Sequence, residues 1–315
     1  VRALALAVAA CAAFLVLLAG AAHAATVSVD GAILLVRAES GEANELLVAL
    51  SDEVILVADA AAPLAAGDGC AAVEGGVECD VAGLAVLHVE AGDGDDGVTV
   101  EAAGLRVEVD AGAGDDTVDA AAATGPAALA GGAGSDLLEG GAGADVLDGA
   151  EGNDVLRGGA GNDSLTGGAG TDSLQGEAGG DTLLADPGAD VLTGGAGVDT
   201  VSYASRTASV AVSLDGKRND GGRRERDRVD TDVENVTGGS GNDVLYGSPL
   251  RNVLAGGGGN DTILGFEGAD RLEGGDGHDI LVGGPGNDQL RAGPGSDYCN
   301  VGPDGGTTRD CERYG

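Results

Sequence analysis

The residues of this chain best suited to chemistry are carboxylates, and they recur on a fixed interval. From residue 131 the sequence falls into nine-residue units without a gap: GGAGSDLLE, GGAGADVLD, GAEGNDVLR, GGAGNDSLT, GGAGTDSLQ, GEAGGDTLL, ADPGADVLT and GGAGVDTVS, ending at Ser202. A second run starts at 238: GGSGNDVLY, GSPLRNVLA, GGGGNDTIL, GFEGADRLE, GGDGHDILV, GGPGNDQLR and AGPGSDYCN. Position six is Asp in 14 of these 15 units, with Asn252 the exception, so the register is too strict for a flexible Gly-rich linker. Acidic residues exceed basic ones by 53 to 16, a net charge of −37. Such acidity reads either as a solvated surface or as a bed of ligands for hard cations. A constant interval favours the second. It also argues against nucleic acid as a partner, because phosphate binding needs a basic patch.

Regular spacing implies elements that repeat with it. Glycines at positions one, two and four permit backbone angles closed to other residues, so six residues can close a tight turn. The next three form a short strand whose middle residue points inward. Position eight is Leu, Val or Ile in 14 units, and Cys299 takes it in the last. Leu138, Leu147, Leu156, Leu165, Leu174, Leu183, Leu192 and Val201 are therefore expected to line one narrow core. Leu245, Leu254, Ile263, Leu272, Leu281 and Leu290 continue it. Two units make one coil, and a core this thin suits a chain with 61 glycines, no Trp and no Met. Collagen is excluded, since glycine does not recur every third residue.

The units resemble the G-G-x-G-x-D-x-U-x nonapeptide (U a large apolar residue) of the RTX, repeats-in-toxin, family over 131–202 and 238–300. The resemblance implies an all-β fold: a right-handed parallel β-roll or β-helix solenoid with calcium held between successive turns on each edge. It also implies the ligands, position-six carboxylates together with main-chain carbonyls of the turns. Calcium takes six to eight oxygens at about 2.3–2.6 Å. Residues 18 apart should stack, giving one edge with Asp136, Asp154, Asp172 and Asp190 and an opposite edge with Asp145, Asp163, Asp181 and Asp199. In the second block the ladders are Asp243, Asp261, Asp279 and Asp297, then Asp270 and Asp288. Upstream, AGDGDDGVT and AGAGDDTVD place Asp96 and Asp116 at position six, 20 residues apart, and should extend the first ladder through longer coils. In GSPLRNVLA, Leu250 replaces a turn glycine and Asn252 the carboxylate, so that rung should bind weakly or not at all. Adjacent rungs suggest on the order of ten ions. Without them stacked carboxylates repel and one aliphatic per unit gives little burial, so folding is expected to depend on calcium.

The remaining segments frame this roll. Residues 1–24 read as a signal peptide, with Arg2, an apolar run to about Leu18 and a small-x-small site at Ala22-His23-Ala24. An uncleaved membrane anchor is the alternative. Export makes disulfides the expected state of Cys70, Cys79, Cys299 and Cys311, with Cys70–Cys79 and Cys299–Cys311 the pairing of least loop entropy. Residues 25–89 carry short strand patterns and form an N-terminal β cap or small β-domain, followed by degenerate coils over 90–130. Residues 203–237 interrupt the repeat with a strand-like SVAVSL and a basic stretch, KRNDGGRRERDRVDTD, which is a docking loop or a solvated one. Residues 301–315 form a disulfide-closed cap. No H-E-x-x-H, G-x-S-x-G or P-loop occurs. His88 and His278 read as structural, and Asp93-Gly-Asp95 and Asp230-Thr-Asp232 lack the rest of an EF-hand loop. The expectation is a secreted, monomeric, non-enzymatic calcium-binding protein. An adhesin with a cell-surface or glycan partner is the first alternative, and a toxin or carboxylate-based hydrolase the second.

Overall fold

A computed structural model describes residues 25–38, 43–50, 54–60, 64–101 and 104–314. The expected signal segment, 1–24, lies outside the described residues. The chain divides into two compact units, one ending at Val155 and one beginning at Leu156. Among the described residues every regular element is a strand, and none is a helix.

The local logic is plainest in a single unit of the repeat. In 256–264, Gly257 and Gly259 have φ of +101° and +109°, angles that side chains disfavour, and they fold the turn back on itself. Asp261 ends the turn, and Thr262–Leu264 is a strand whose middle residue, Ile263, is fully buried. Gly256 lacks a positive φ. It is glycine for another reason: a Cβ there would lie 2.2 Å from Oδ2 of Asp261. In this unit position one is bare, and the carboxylate six places in folds over it; Ala91, Ala111, Ala185 and Ala292 hold the same place elsewhere.

In the first unit, Val86–Asp93, Arg106–Ala113, Ala127–Ala133 and Val146–Gly152 pair in parallel as one face. Gly97–Glu101, Thr117–Asp119 and Leu137–Glu139 form the other, in the register Val98↔Val118↔Leu138. The 20-residue step expected upstream of 131 is thus the coil length there. Ile33–Arg37 and Glu45–Leu50 add one more parallel rung to each face. Antiparallel strands then cover them: Thr26–Asp30 lies on the first, Val54–Asp59 on the second, with Gly76–Asp80 and Cys70–Val73 beyond. A strand that reverses direction ends the parallel stack and shields its open edge. Cys70 and Cys79 are direct cross-strand partners joined by a disulfide.

In the second unit one face runs through Ser164–Thr166, Thr182–Leu184, Thr200–Ser202, Asn235–Thr237, Val253–Gly258, Arg271–Asp276, Asp288–Arg291 and Gly306–Arg309, all parallel. Residues 203–237 break the nine-residue register without breaking this sheet, since Val236 pairs between Val201 and Leu254. On the opposite face, Asp227–Val229 pairs in parallel with Val191–Gly197, and Val210–Ser213 with Val244–Tyr246. Arg218–Gly222 lies between them, antiparallel to both. Strands Thr262–Leu264, Ile280–Val282, Tyr298–Asn300 and Arg313–Tyr314 complete this face. The second disulfide, Cys299–Cys311, ties the tail to the last coil. Every inward aliphatic residue expected from the repeat, from Leu138 to Leu290, is at most 2% exposed.

Candidate metal-binding ladders

Each position-six aspartate follows a turn and precedes a strand, so its backbone amide points along the stack. Where a carboxylate follows on the next coil of the same compact unit, that amide donates to it. In the first unit Asp96 N–H reaches Oδ1 of Asp116 (2.7 Å), Asp116 reaches Asp136 (2.8 Å) and Asp136 reaches Asp154 (2.8 Å). Asp96 in turn accepts from the amide of Asn44 at 2.6 Å. Asp145, on the other edge, accepts from Ala127 N–H at 2.7 Å.

The second unit repeats the arrangement in four series. Asp163 donates to Asp181 and Asp181 to Asp199, each at 2.8 Å, while Asp172 donates to Asp190 at 3.0 Å. Asp243, Asp261, Asp279 and Asp297 follow one another at 2.7–2.9 Å. Asn252, Asp270 and Asp288 form the last series, at 2.8 and 2.9 Å. All 16 aspartates expected from the sequence are 0–3% exposed. The structure thus brings together, within each unit, the residues that the 18- and 20-residue intervals group.

One carboxylate oxygen is accounted for by this ladder, and the second is the informative one. In Asp96, Asp116, Asp136, Asp199, Asp261, Asp270, Asp279, Asp288 and Asp297, Oδ2 is enclosed and has no hydrogen-bond partner. A buried anion with an idle lone pair is expensive in an otherwise well-bonded structure. Coils rise by about 4.8 Å, where two bare carboxylates repel by roughly 3 kcal/mol at an effective dielectric near 20. The acid constants respond. Burial, reinforced by neighbouring aspartates, lifts Asp116, Asp199, Asp261 and Asp270 from 3.8 to about 6, and Asp190 to about 7. Burial also raises Asp96, Asp136, Asp181, Asp279 and Asp288. Asp145 and Asp243 differ: their Oδ2 atoms accept the amides of Gly141 (2.8 Å) and Gly239 (2.7 Å).

This donor set fits calcium. The idle oxygens are hard carboxylate ligands, stacked in vertical pairs and flanked by turn backbone. Among the described residues no group of three or more His, Cys, Asp or Glu side chains is assembled for a metal. A cation held between two rungs would need its remaining ligands from elsewhere, and main-chain carbonyls of the turns would supply them for a cation with six to eight oxygen ligands. Among the described residues the four cysteines, Cys70, Cys79, Cys299 and Cys311, are committed to disulfides.

Several ladder members were not visible in the repeat. Asp227 accepts the amide of Asp190 at 3.1 Å, and Glu234 that of Asp199 at 2.9 Å, extending two series past Ser202. Their sequence signal is a carboxylate-x-aliphatic triplet, Asp227-Arg228-Val229 and Glu234-Asn235-Val236; Gly221 and Gly222 precede the first, and no turn glycine precedes the second. Asn44 is the corresponding residue before Glu45-Leu46. Asp227 is fully satisfied, its Oδ2 accepting from the hydroxyl of buried Tyr203 at 3.1 Å. Asn252 is also self-sufficient: Oδ1 accepts from Ser248 N–H at 2.7 Å and Nδ2 donates to the carbonyl of Glu234 at 2.8 Å. An amide hydrogen bond there ties the rung that the sequence marked as degenerate.

The histidines take structural places. His88 lies beside Glu90 and Glu108 on one face, and His278 Nδ1 accepts the amide of Ser296 at 2.9 Å. Asp230 and Asp232 bond to Thr193 and to the amides of Gly194 and Gly195, not to a common centre.

A family model described as RTX calcium-binding nonapeptide repeat (4 copies) matches residues 130–165, 148–183, 166–201, 230–263, 247–281, 264–299 and 273–307. The matches cover 130–201 and 230–307, so the second block begins ahead of the GGSGNDVLY unit and takes in Glu234. No curated protein matches the chain significantly.

Proposed function

RTX calcium-binding nonapeptide repeats occupy residues 130–201 and 230–307 of this chain, and from that premise we propose that it binds calcium in ladders between successive position-six carboxylates. The observation that carries the reading is the run of buried Oδ2 atoms without partners. When bound, calcium supplies the positive charge that neutralises these stacked anions. The chain's own residues do the rest. Asp116, Asp136, Asp261, Asp279 and their equivalents would present the carboxylates, the amide-to-Oδ1 bonds fix their orientation, and the bare Gly131, Gly256 and Gly274 leave room for Asp136, Asp261 and Asp279.

The same reading makes folding depend on calcium. Each nonapeptide buries one aliphatic side chain, so backbone ordering and carboxylate repulsion leave the calcium-free roll only marginally stable, and calcium stabilises it. Extracellular modules bind calcium at about 0.1–1 mM, and the proposed place of action is outside the cell. No helix among the described residues is long and apolar enough to cross a membrane. The role is structural or ligand-holding rather than catalytic: the buried carboxylates share one environment instead of separating into an acid and a base. Calorimetric titration of the calcium-free protein tests the proposal. On the order of ten ions per chain is expected, with a coincident gain of β-sheet circular dichroism. Binding of one or two ions, or none, would reject it.

A further inference from the structure

The segment 217–228 holds six of the chain's 16 basic residues. Its acids are turned away from solvent or already engaged. Asp220 is 2% exposed and accepts the amides of Ser213 and Val229, Asp227 is fully buried, and Glu225 pairs with Arg206. Lys217 pairs with Asp215 at 2.5 Å and Arg228 with Asp230 at 2.9 Å. That leaves Arg218, Arg223, Arg224 and Arg226, all exposed, with no side-chain partner among the described residues.

These four cations stand on a braced loop. Arg218–Gly222 is clamped between two antiparallel neighbours, and Arg224 and Arg226 hold φ of +82° and +74°. Left-handed backbone disfavours side-chain-bearing residues by about 1 kcal/mol each, so the surrounding pairing imposes the shape. The result is a preorganised guanidinium face on a chain of net charge −37.

A complementary face exists on the first unit. Asp93, Ala113, Ala133 and Glu151 occupy equivalent rungs of one parallel stack. Beside them, Asp95 accepts the amide of Asp115 at 2.9 Å and Asp115 that of Ser135 at 2.8 Å, which fixes both carboxylates along the edge. Asp93, Asp95, Asp115 and Glu151 are exposed and form no ion pair among the described residues. Rungs about 4.8 Å apart offer a strip of acceptors matched to the planar, forked donors of arginine.

We propose that the arginine hairpin docks on this acidic edge of a second copy of the chain. Hairpin and edge are separate surfaces of the chain, so the contact joins the hairpin of one copy to the edge of another. None of the eight residues is at position six, so the inference does not rest on the calcium reading.

Sedimentation velocity of the full calcium-saturated chain tests it, across a concentration series at about 0.02 M and about 0.5 M salt. Mass growing with concentration at low salt is expected, with apparent Kd at least about tenfold weaker at high salt. Joint Arg218→Gln, Arg223→Gln, Arg224→Gln and Arg226→Gln replacement should abolish it, and so should neutralising the four acids. Circular dichroism in calcium checks that each variant is folded, and the salt series on the unaltered chain stands without them. A chain that stays monomeric at low salt, or associates equally well without the arginines, overturns the proposal. So does a monomer that instead binds a sulfated polysaccharide through the hairpin.

Discussion

Replacing Asp261 by Asn should act in opposite directions with and without calcium. Asp261 accepts the amide of Asp243 through Oδ1, and its Oδ2 is buried without a partner. Burial, with Asp243 and Asp279 above and below, lifts its pKa from 3.8 to about 6. The climb corresponds to about 3 kcal/mol against the ionised form at pH well above the raised value. Asn keeps the Oδ1 acceptor, removes the charge and brings an Nδ2 donor, as at the Asn252 rung, where that donor reaches the carbonyl of Glu234. The calcium-free protein should therefore gain about 1–3 kcal/mol from Asp261→Asn. With calcium the same change removes a charged ligand from the gap on each side. If each site weakens about tenfold, the two losses total about 3 kcal/mol. Urea unfolding at about pH 8, in excess calcium and in chelator, reads both numbers. A shift of the same sign in the two conditions would refute the reasoning.

Acidification gives a second test. The raised carboxylates bind more protons folded than unfolded, so calcium-free stability should rise as pH falls from about 8 toward 5, through the values near 7 and 6 of Asp190, Asp116 and Asp270. Calcium affinity should fall over the same range, and a pH-independent midpoint in chelator would count against the buried ladder. Gly256→Ala should cost about 2 kcal/mol or more and weaken calcium binding, because the new Cβ would lie 2.2 Å from Oδ2 of Asp261; thermal melts and calcium titration would show it. Asn252→Asp should destabilise the calcium-free protein by about 1–3 kcal/mol, since the bond to Glu234 is lost and another carboxylate enters the stack. Reducing both disulfides should lower stability by about 3 kcal/mol for each short loop, a shift that urea titration with and without reductant would measure.

Most of the ladder was legible in the sequence because the same physical demand recurs every nine residues. Asp at position six and an aliphatic at position eight are each set by one environment repeated along the stack, so period alone predicts both the core from Leu138 to Leu290 and the carboxylate series. The turn glycines were legible as a group, but not by cause. Position two is glycine for its backbone angle, yet Ala150, Glu177 and Phe266 take that place with φ of +70° to +72°. Position one, glycine in most units and alanine at Ala91, Ala111, Ala185 and Ala292, lies against the carboxylate of its own unit at Gly131, Gly256 and Gly274, and only coordinates reveal that contact. The parts that escaped have partners set by tertiary placement. Glu234 and Asn44 lack the glycines of positions one, two and four, Asp227 follows Gly221-Gly222 outside the nine-residue register, and the antiparallel insert Arg218–Gly222 carries no periodic signal. The pattern at 25–89 marked strands, but not that Ile33–Arg37 and Glu45–Leu50 form a coil of the parallel stack.

Anomalous diffraction from crystals grown with calcium and then exchanged into a lanthanide would locate the ions themselves. Peaks are expected between Asp261 and Asp279, between Asp116 and Asp136, and at the equivalent rungs, with none at the pairing of Glu234 and Asn252. Peaks scattered over the exposed acids, with the stacked Oδ2 atoms left bare, would contradict the assignment.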